Sequence, residues 1–339
     1  MTVTDLDLPA VPSGSGDAVA DIVADVVATV RRGSPLYCVA GFRAPWAIGL
    51  EEGGVAGVTV ITSGTCWLMP EGLEPVQLVQ GDVVLLPSGV AHVCADQPGR
   101  AARPLKELIG GPLGDGMPRR LAIDGDGPVT RLLVGAFVLA PGPPHPLTAI
   151  LPPVVHIGAG QARDRGLAAA VELLSCEVQR ADPGAPAVVA SLLDLLFVYI
   201  LRAWLAEQHQ SGEGWVRALY DPVVGSALAL IHDDPARPWS VDLLARAAGA
   251  PRATFTRRFR TLTGQAPMAY VAAWRMSVAA RLLREERGSL REVAHRVGYD
   301  SEFAFARAFK RTTGHPPGRF RTDVISQLSP GSAGIRGGS

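Results

Sequence analysis

The 339-residue chain is short of charge and of cysteine, and each shortage excludes something. Only 19% of residues are charged against 47% apolar, so the chain buries enough surface for two or three folded domains and is not a disordered one. Its four cysteines, Cys38, Cys66, Cys94 and Cys176, are scattered with no C-x-x-C pair. That spacing leaves no zinc knuckle or disulfide framework, and the four are read as buried thiols in a reducing compartment. A redox role would require electropositive surroundings. No long hydrophobic run exists: the most apolar stretch, 195–201, is flanked by Asp194 and Arg202 and is too short to cross a bilayer. Near the N-terminus stand Asp5 and Asp7, where a signal peptide carries basic residues, so a cytoplasmic protein without membrane contact is expected. No histidine precedes His92, which restricts any metal chemistry in the first part of the chain.

Net charge is also absent overall, but that balance hides an asymmetry. Residues 215–323 hold 18 Lys and Arg against 10 Asp and Glu, a net of +8, whereas residues 1–214 hold 13 against 22, a net of −9. The C-terminal third therefore carries an electrostatic footprint suited to phosphate.

That same third contains one pattern written twice. Phe255, Phe259, Thr263, Gly264, Pro267 and Tyr270 recur as Phe305, Phe309, Thr313, Gly314, Pro317 and Phe320. Upstream, Ala245-x-x-Ala248-Gly249 is echoed by Ala294-x-x-Val297-Gly298, so the second copy has one more residue in its turn. Each copy reads as helix, tight glycine turn, helix. Ser240 and Ser289 are N-cap residues, and Ser289 with Glu292 fits a capping box. Gly249 and Gly298 end the first helices. The second helices, 252–262 and 301–312, stop at Gly264 and Gly314, each followed by a proline. Phe255, Phe259 and Leu262 form a core stripe, which leaves Ala253, Thr256, Arg257 and Arg260 on a separate face. In the second copy Phe305 and Phe309 face the core while Phe303, Ala306, Arg307 and Lys310 look out. Arg257 and Arg307 hold equivalent positions. Arginines on helices are usually solvated charges, but two equivalent ones on duplicated helices favour reading of the major groove, where an arginine fork matches guanine O6 and N7. The helix between the copies, 267–286, spans roughly 30 Å at the usual rise, close to the ~34 Å between successive major grooves.

Residues 221–323 resemble the DNA-binding domain of the AraC/XylS family of transcription regulators. The resemblance is carried by Val297-Gly298-Tyr299-Asp300-Ser301, Phe305-Ala306-Arg307-Ala308-Phe309-Lys310 and Gly314-His315-Pro316-Pro317-Gly318-Arg319-Phe320-Arg321. It implies base-contacting positions at Ala253, Thr256 and Arg257 in the first unit and at Glu302, Phe303, Ala306 and Arg307 in the second. Arg252, Arg260, Ser301, Lys310 and Arg321 would contact phosphates. Ala253 and Ala306 have no polar group, so reading there would be by thymine-methyl contact or DNA shape.

Ahead of this domain, a helix capped by Asp17 carries Ile22, Val23, Val26, Val27 and Val30 on one side and ends at Gly33. Short β-rich runs follow at 36–42, 46–50, 57–62, 65–69, 75–78, 82–86 and 92–95, separated by glycine and proline turns. They predict an antiparallel barrel or sandwich. A loop of Gly, Pro and Asp covers 109–128, and a strand follows at 130–139. Gly81, Pro87, Gly89, His92 and Asp96 resemble the second cupin motif, with Asp where Asn is usual. The first cupin motif should supply H-x-H and a Glu, yet 57–68 holds neither, and one histidine cannot hold a metal. No metal, cofactor or catalytic residue is therefore expected. His92 is either a hydrogen-bonded core histidine or a polar anchor in a small-molecule pocket; on the second reading the pocket includes Trp46, Thr59, Trp67 and His92. The stretches 64–68 and 81–87 resemble the cupin sensor domains found in part of the AraC family.

After a proline-rich crossing at 141–153, helices are expected at 164–179 and 187–208. The second is apolar on several sides. It is either packed against the barrel or part of a dimer interface, which the family often places on such helices.

The combined expectation is an α+β, multidomain chain that is not an enzyme. A disordered tail covers 1–16, a cupin-like β-barrel sensor 17–155, and a helical linker or dimerisation segment 156–212. An all-α DNA-binding domain spans 213–323, with helix-turn-helix units at 239–264 and 289–314, and a second tail covers 324–339. Its partners would be double-stranded promoter DNA, a small-molecule effector, a second copy of the chain and RNA polymerase. A cupin enzyme fused to a DNA-binding domain, and a constitutive DNA-binding protein with a structural barrel, are the alternatives.

Overall fold

The computed structural model describes residues 31–52, 55–109, 119–139, 151–160, 165–180, 182–211, 214–285 and 288–327. The first tail, most of the helix expected after Asp17, nearly all of the 141–153 crossing and residues 328–339 lie outside the described residues. Contacts divide the chain into two compact units that part between residues 211 and 212.

The first unit is built on two sheets. The larger has the order β11-β6-β3-β10-β1-β9 and the smaller β5-β4-β7-β2-β8. In chain order the strands are β1 (Arg31–Arg43), β2 (Ala47–Leu50), β3 (Val55–Ser63), β4 (Thr65–Pro70), β5 (Val76–Val79), β6 (Val83–Leu86) and β7 (His92–Ala95), then β8 (Arg103–Pro104), β9 (Arg119–Ile123), β10 (Val129–Leu139) and β11 (Val155–Ile157). Ala40 and Phe42 of β1, Ile48 of β2, Ile61 of β3 and Cys66 and Leu68 of β4 project into one core between the sheets. That alternation is what pleated strands with one dry face require. The sheets are not closed into a barrel, and the arrangement is a jelly-roll sandwich.

Several expectations are corrected. Arg31–Gly33 begin β1 rather than ending a helix. β9 lies inside the stretch expected to be loop, where Leu121 and Ile123 alternate against the core. It runs parallel to β1, and β8 runs parallel to β2, so the sheets are not wholly antiparallel. β11 adds a strand beside β6. The C-terminal tail was expected to start at 324, but the last helix continues to Gln327.

Two carboxylates, the buried Asp82 and the half-buried Asp96, hold the turns. Asp82 accepts hydrogen bonds from the backbone N–H of Val79 (3.0 Å) and Ala159 (2.9 Å), and from His156 Nε2 (3.1 Å), tying the β5–β6 turn to the chain after β11. Beside it Gly81 sits at φ +91°, where a Cβ would come within 2.8 Å of the Ala159 side chain. Asp96, in the position where cupins usually carry Asn, accepts the Trp46 N–H at 3.0 Å, returns its own N–H to Trp46 O at 3.1 Å, and pairs with Arg100.

A short helix α1 (Leu105–Ile109) follows β8, and two long helices complete the unit, α2 (Arg165–Arg180) and α3 (Ala185–Ser211). Leu193, Leu196, Ile200, Leu201 and Leu205 of α3 are buried, and the Phe197 ring packs 5.0 Å from Phe137 of β10. By length and composition Ala185–Gln208 could cross a membrane, a longer apolar segment than the run at 195–201 suggests. Here it serves as the helix that covers the larger sheet. Val188 and Leu195 remain exposed on it, as does Leu173 on α2.

Burial pushes the Cys66 thiol up to about 12, with the Asp82 charge adding to it, and raises Cys94 as well. Both are protonated and unreactive at neutral pH. Cys176 departs from the expectation of four buried thiols, because it is exposed on α2.

Burial alone would raise the Asp96 carboxyl, but hydrogen bonds from Arg100 and the Trp46 N–H, with the Arg100 charge, together hold it below its usual range. A depressed folded-state value stabilises the fold fully above the unfolded value, about 3.9, and that contribution is lost as pH falls through the folded value. Melting curves of wild type and Asp96→Asn between pH 7 and pH 3 should therefore differ most at the upper end and converge at the acid end. A gap that stays constant with pH would contradict this role.

A candidate nucleic-acid interface and a buried cavity

The second unit contains α4 (Trp215–Tyr220), α5 (Val224–Asp233), α6 (Val241–Ala247), α7 (Arg252–Thr263), α8 (Pro267–Glu285), α9 (Leu290–Arg296), α10 (Glu302–Thr313) and α11 (Pro317–Gln327). The duplication seen in sequence extends to individual interactions. Ser240 caps α6 through the Leu243 N–H, and Ser289 with Glu292 forms a full capping box on α9. Gly249 and Gly298, then Gly264 and Gly314, all adopt positive φ. Thr263 donates to Phe259 O at 2.8 Å and Thr313 to Phe309 O at 2.8 Å. Phe259 meets Tyr270 edge-on at 5.8 Å, and Phe309 meets Phe320 edge-on at 5.2 Å. Each unit is thus closed by the same aromatic wedge, buried on the inner side of its second helix.

The outer sides of α7 and α10 carry the residues expected to meet DNA. Arg252, Ala253, Thr256, Arg257 and Arg260 line one shallow groove together with Thr261. Thr256 donates its hydroxyl to Arg252 O at 2.9 Å, so toward a base it can only accept. Arg252 pairs with Asp242 at 3.1 Å, both exposed, and such surface pairs are weak enough to exchange for a phosphate. On α10, Glu302, Phe303, Arg307 and Lys310 are exposed and Ala306 is half-buried. Phe303 is 72% exposed, and the Arg307 guanidinium stands 5.9 Å from its ring centroid. Ser301 is the N-cap of α10, its hydroxyl accepting from the Ala304 N–H at 3.4 Å. Arg321 stands apart: it is half-buried, with Nε and one Nη shielded and without a hydrogen-bond partner among the described residues.

What sequence reasoning missed is the framework that holds these faces. α8 buries Tyr270, Val271, Trp274, Met276, Val278, Ala279, Leu282 and Leu283, and packs against both recognition helices. From it Arg275 donates to Pro235 O at 2.7 Å and Arg237 O at 2.8 Å, and its guanidinium lies 5.8 Å from the Tyr299 ring centroid. Burial lowers its pKa, with the neighbouring Tyr299 and Asp234 opposing. Gly298, at φ +75°, lets the turn of the second unit approach so closely that a Cβ would fall 2.5 Å from Ala236 O. Arg275 therefore joins the loop before α6 to the turn before α10. In the first unit Asp221 caps α5 through the N–H groups of Val223 and Val224, and binds Arg258 of α7 at 2.7 Å. A lone Asp and a lone Arg 37 residues apart give no sequence signal.

In the jelly-roll unit a cavity of about 420 Å³ lies between the sheets, with walls mainly of Phe42, Ile48, Leu86, Leu121, Leu132 and Val134. Of the four residues expected at a pocket, Thr59 and His92 line it, whereas Trp46 packs on Phe42 in the core and neither it nor Trp67 is part of the lining. The rim holds Glu51 and Lys106, joined by a 2.5 Å ion pair. His92 donates from Nδ1 to Val90 O at 2.8 Å. Burial lowers its pKa, that hydrogen bond opposing, so the ring is neutral at pH 7. Among the described residues no group of three His, Cys, Asp or Glu could hold a metal.

Two helix-turn-helix units following a jelly-roll sandwich define a DNA-binding transcription regulator. Residues 21–206 match the cupin family model and residues 244–323 a helix-turn-helix domain model. The chain is 33% identical over 304 residues to a putative AraC-like transcription regulator of Streptomyces lividans, covering 89% of this chain and 98% of that protein. It is 34% identical over 305 residues to another from Streptomyces antibioticus, again covering 89% and 98%. The chain belongs to the AraC-like transcription regulators. Among solved structures it is similar to the DNA-binding domain of AdpA in complex with a target DNA, at 34% identity, covering 33% of this chain and 99% of that one with a TM-score of 0.31.

The bridge made by Arg275 generates a specific expectation. Arg275→Met keeps the buried stem but loses both carbonyl contacts, which should loosen one unit against the other while leaving each folded. Affinity for a composite operator should fall about tenfold (~1.4 kcal/mol), while affinity for either half-site alone should be unchanged. Fluorescence anisotropy on the three duplexes measures this, and equal loss on all three would refute the bridging role.

Proposed function

We propose that this regulator binds a composite operator through the outer faces of α7 and α10, with Arg257 and Arg307 reading base edges in successive major grooves. Ala253, Thr256, Glu302, Phe303 and Ala306 complete the reading faces, and Arg252, Arg260, Ser301 and Lys310 position the phosphates. The observation that carries this is the duplicated unit, which places one exposed arginine at the same position of each recognition helix. Arg321 fits a phosphate role less well because its guanidinium is largely shielded. The cavity in the sensor unit holds a small-molecule effector that shifts the population of DNA-competent conformations. The protein acts in the cytoplasm, with RNA polymerase as the further partner through which occupancy becomes transcription.

Arg257→Ala and Arg307→Ala should each cost about 1–3 kcal/mol on the specific site while leaving nonspecific binding nearly intact. Selection of random duplexes with purified protein supplies the site, and titration of both variants against it provides the check. Wild-type affinity in both would sink the assignment. An enzymatic cupin is disfavoured by the missing ligand set, and a stoichiometric metal found by elemental analysis would revive it. A purely structural sandwich would show no thermal shift with any small molecule.

Self-association through α3 is supported by Val188 and Leu195, two large apolar residues seven positions apart among the exposed residues of a helix whose other side is buried. Leu195→Glu should convert a dimer to monomer in analytical ultracentrifugation without lowering the melting temperature. An unchanged sedimentation coefficient would argue against this surface.

A further inference from the structure

The effector reading leaves the chemistry of the ligand open, but the cavity narrows it. Its walls are apolar over most of their area, so the body of any occupant must be hydrophobic. Lys106 and Glu51 are both exposed and paired with each other at the rim, so the enclosed part of the lining holds no Lys or Arg that could compensate burial of a carboxylate or phosphate. Polar capacity then rests mainly on His92 and Thr59, since the Tyr37 hydroxyl, the other polar group of the lining, is within reach of the Arg120 and Glu177 charges. A carbonyl can only accept, so the contact with Val90 O fixes the proton on Nδ1 and leaves Nε2 as a bare acceptor. Neither Nε2 nor the Thr59 hydroxyl has a hydrogen-bond partner among the described residues, and neither belongs to the fully shielded polar atoms. β3, which carries Thr59, and β7, which carries His92, belong to opposite sheets, so the two groups border the cavity from both sides.

We infer that the cavity takes a neutral, largely apolar molecule bearing a hydroxyl donor, an alcohol or phenol, whose O–H donates to His92 Nε2 while its oxygen accepts from Thr59. Acids are excluded for lack of a counter-charge, and hydrocarbons or ethers bind more weakly because His92 is left unsatisfied. This rests on the cavity being the effector site, yet the two can fail separately.

Four probes of one skeleton test it on the full-length protein by isothermal titration: 4-butylphenol, 4-butylanisole, butylbenzene and 4-butylbenzoate. The phenol should bind about tenfold tighter than the anisole, the hydrocarbon should follow the anisole, and the benzoate should not bind. In His92→Phe the phenol should drop to the anisole level while the anisole is unaffected. Thr59→Val provides a second variant, with a smaller loss for the oxygen-bearing probes and none for butylbenzene. Equal binding of phenol and anisole, binding of the benzoate, or no binding by any probe would overturn the ligand class. If the order holds but 4-butylphenol leaves operator affinity unchanged, the ligand class stands and the effector reading fails.

Discussion

Two helix-turn-helix units can address neighbouring grooves only if their separation is fixed, and in this protein a single buried helix fixes it. α8 is not an exposed spacer. It contributes Tyr270 to the aromatic wedge of the first unit and packs along α9, α10 and α11 of the second, so it belongs to both cores. A 19-residue helix is about 28 Å long, a little short of the groove repeat, and its burial removes the bending freedom a linker would have. Arg275 and Gly298 extend the constraint sideways. Through them the loop at Pro235–Arg237 and the turn at Gly298–Tyr299 become one packed junction.

The repeats share a closing device but not their surroundings. Around the first unit, Trp215 lies near Tyr270, His232 stacks on Trp274 at 3.9 Å, and Asp221 binds Arg258 from below α7. The second unit has α11 where the first has α8, and its edge is set by the Tyr299–Phe305 contact. Packing in the jelly-roll unit is incomplete: the same alternation that fills the core with Phe42, Leu68 and Leu86 leaves a space bordered by Thr59 and His92. A cavity of about 420 Å³ departs from the close packing usual in protein interiors.

The duplicated domain was legible because its signals are local. Glycine stops, serine caps and phenylalanine spacing each occupy a few adjacent residues, and helices at 252–263 and 302–313 follow from them directly. Strands β1 to β7 were readable for the same reason. β9 and β11 were not, since five and three residues amid Gly, Pro and Asp have too little alternation to stand out, and their partners in the sheet are distant in sequence. The pocket was half legible. His92 and Thr59 sit on recognisable strands, but which face of β4 is dry depends on sheet pairing, which leaves Trp67 outside the lining, and Trp46 is taken up by packing on Phe42 in the core. Arg275 gave no sign at all, because its carbonyl partners lie about forty residues away and carry no side-chain signature.

The turn between α6 and α7 spans residues 248–251, whereas that between α9 and α10 spans 297–301. The additional residue lets Ser301 cap α10 where Pro251 precedes α7, and Glu302 and Phe303 stand at the start of α10 where α7 begins with Arg252 and Ala253. The duplicated domain therefore has a head and a tail. An exposed aromatic ring on α10 stands where α7 has an alanine methyl, so the two outer faces are not interchangeable and the domain differs from one end to the other.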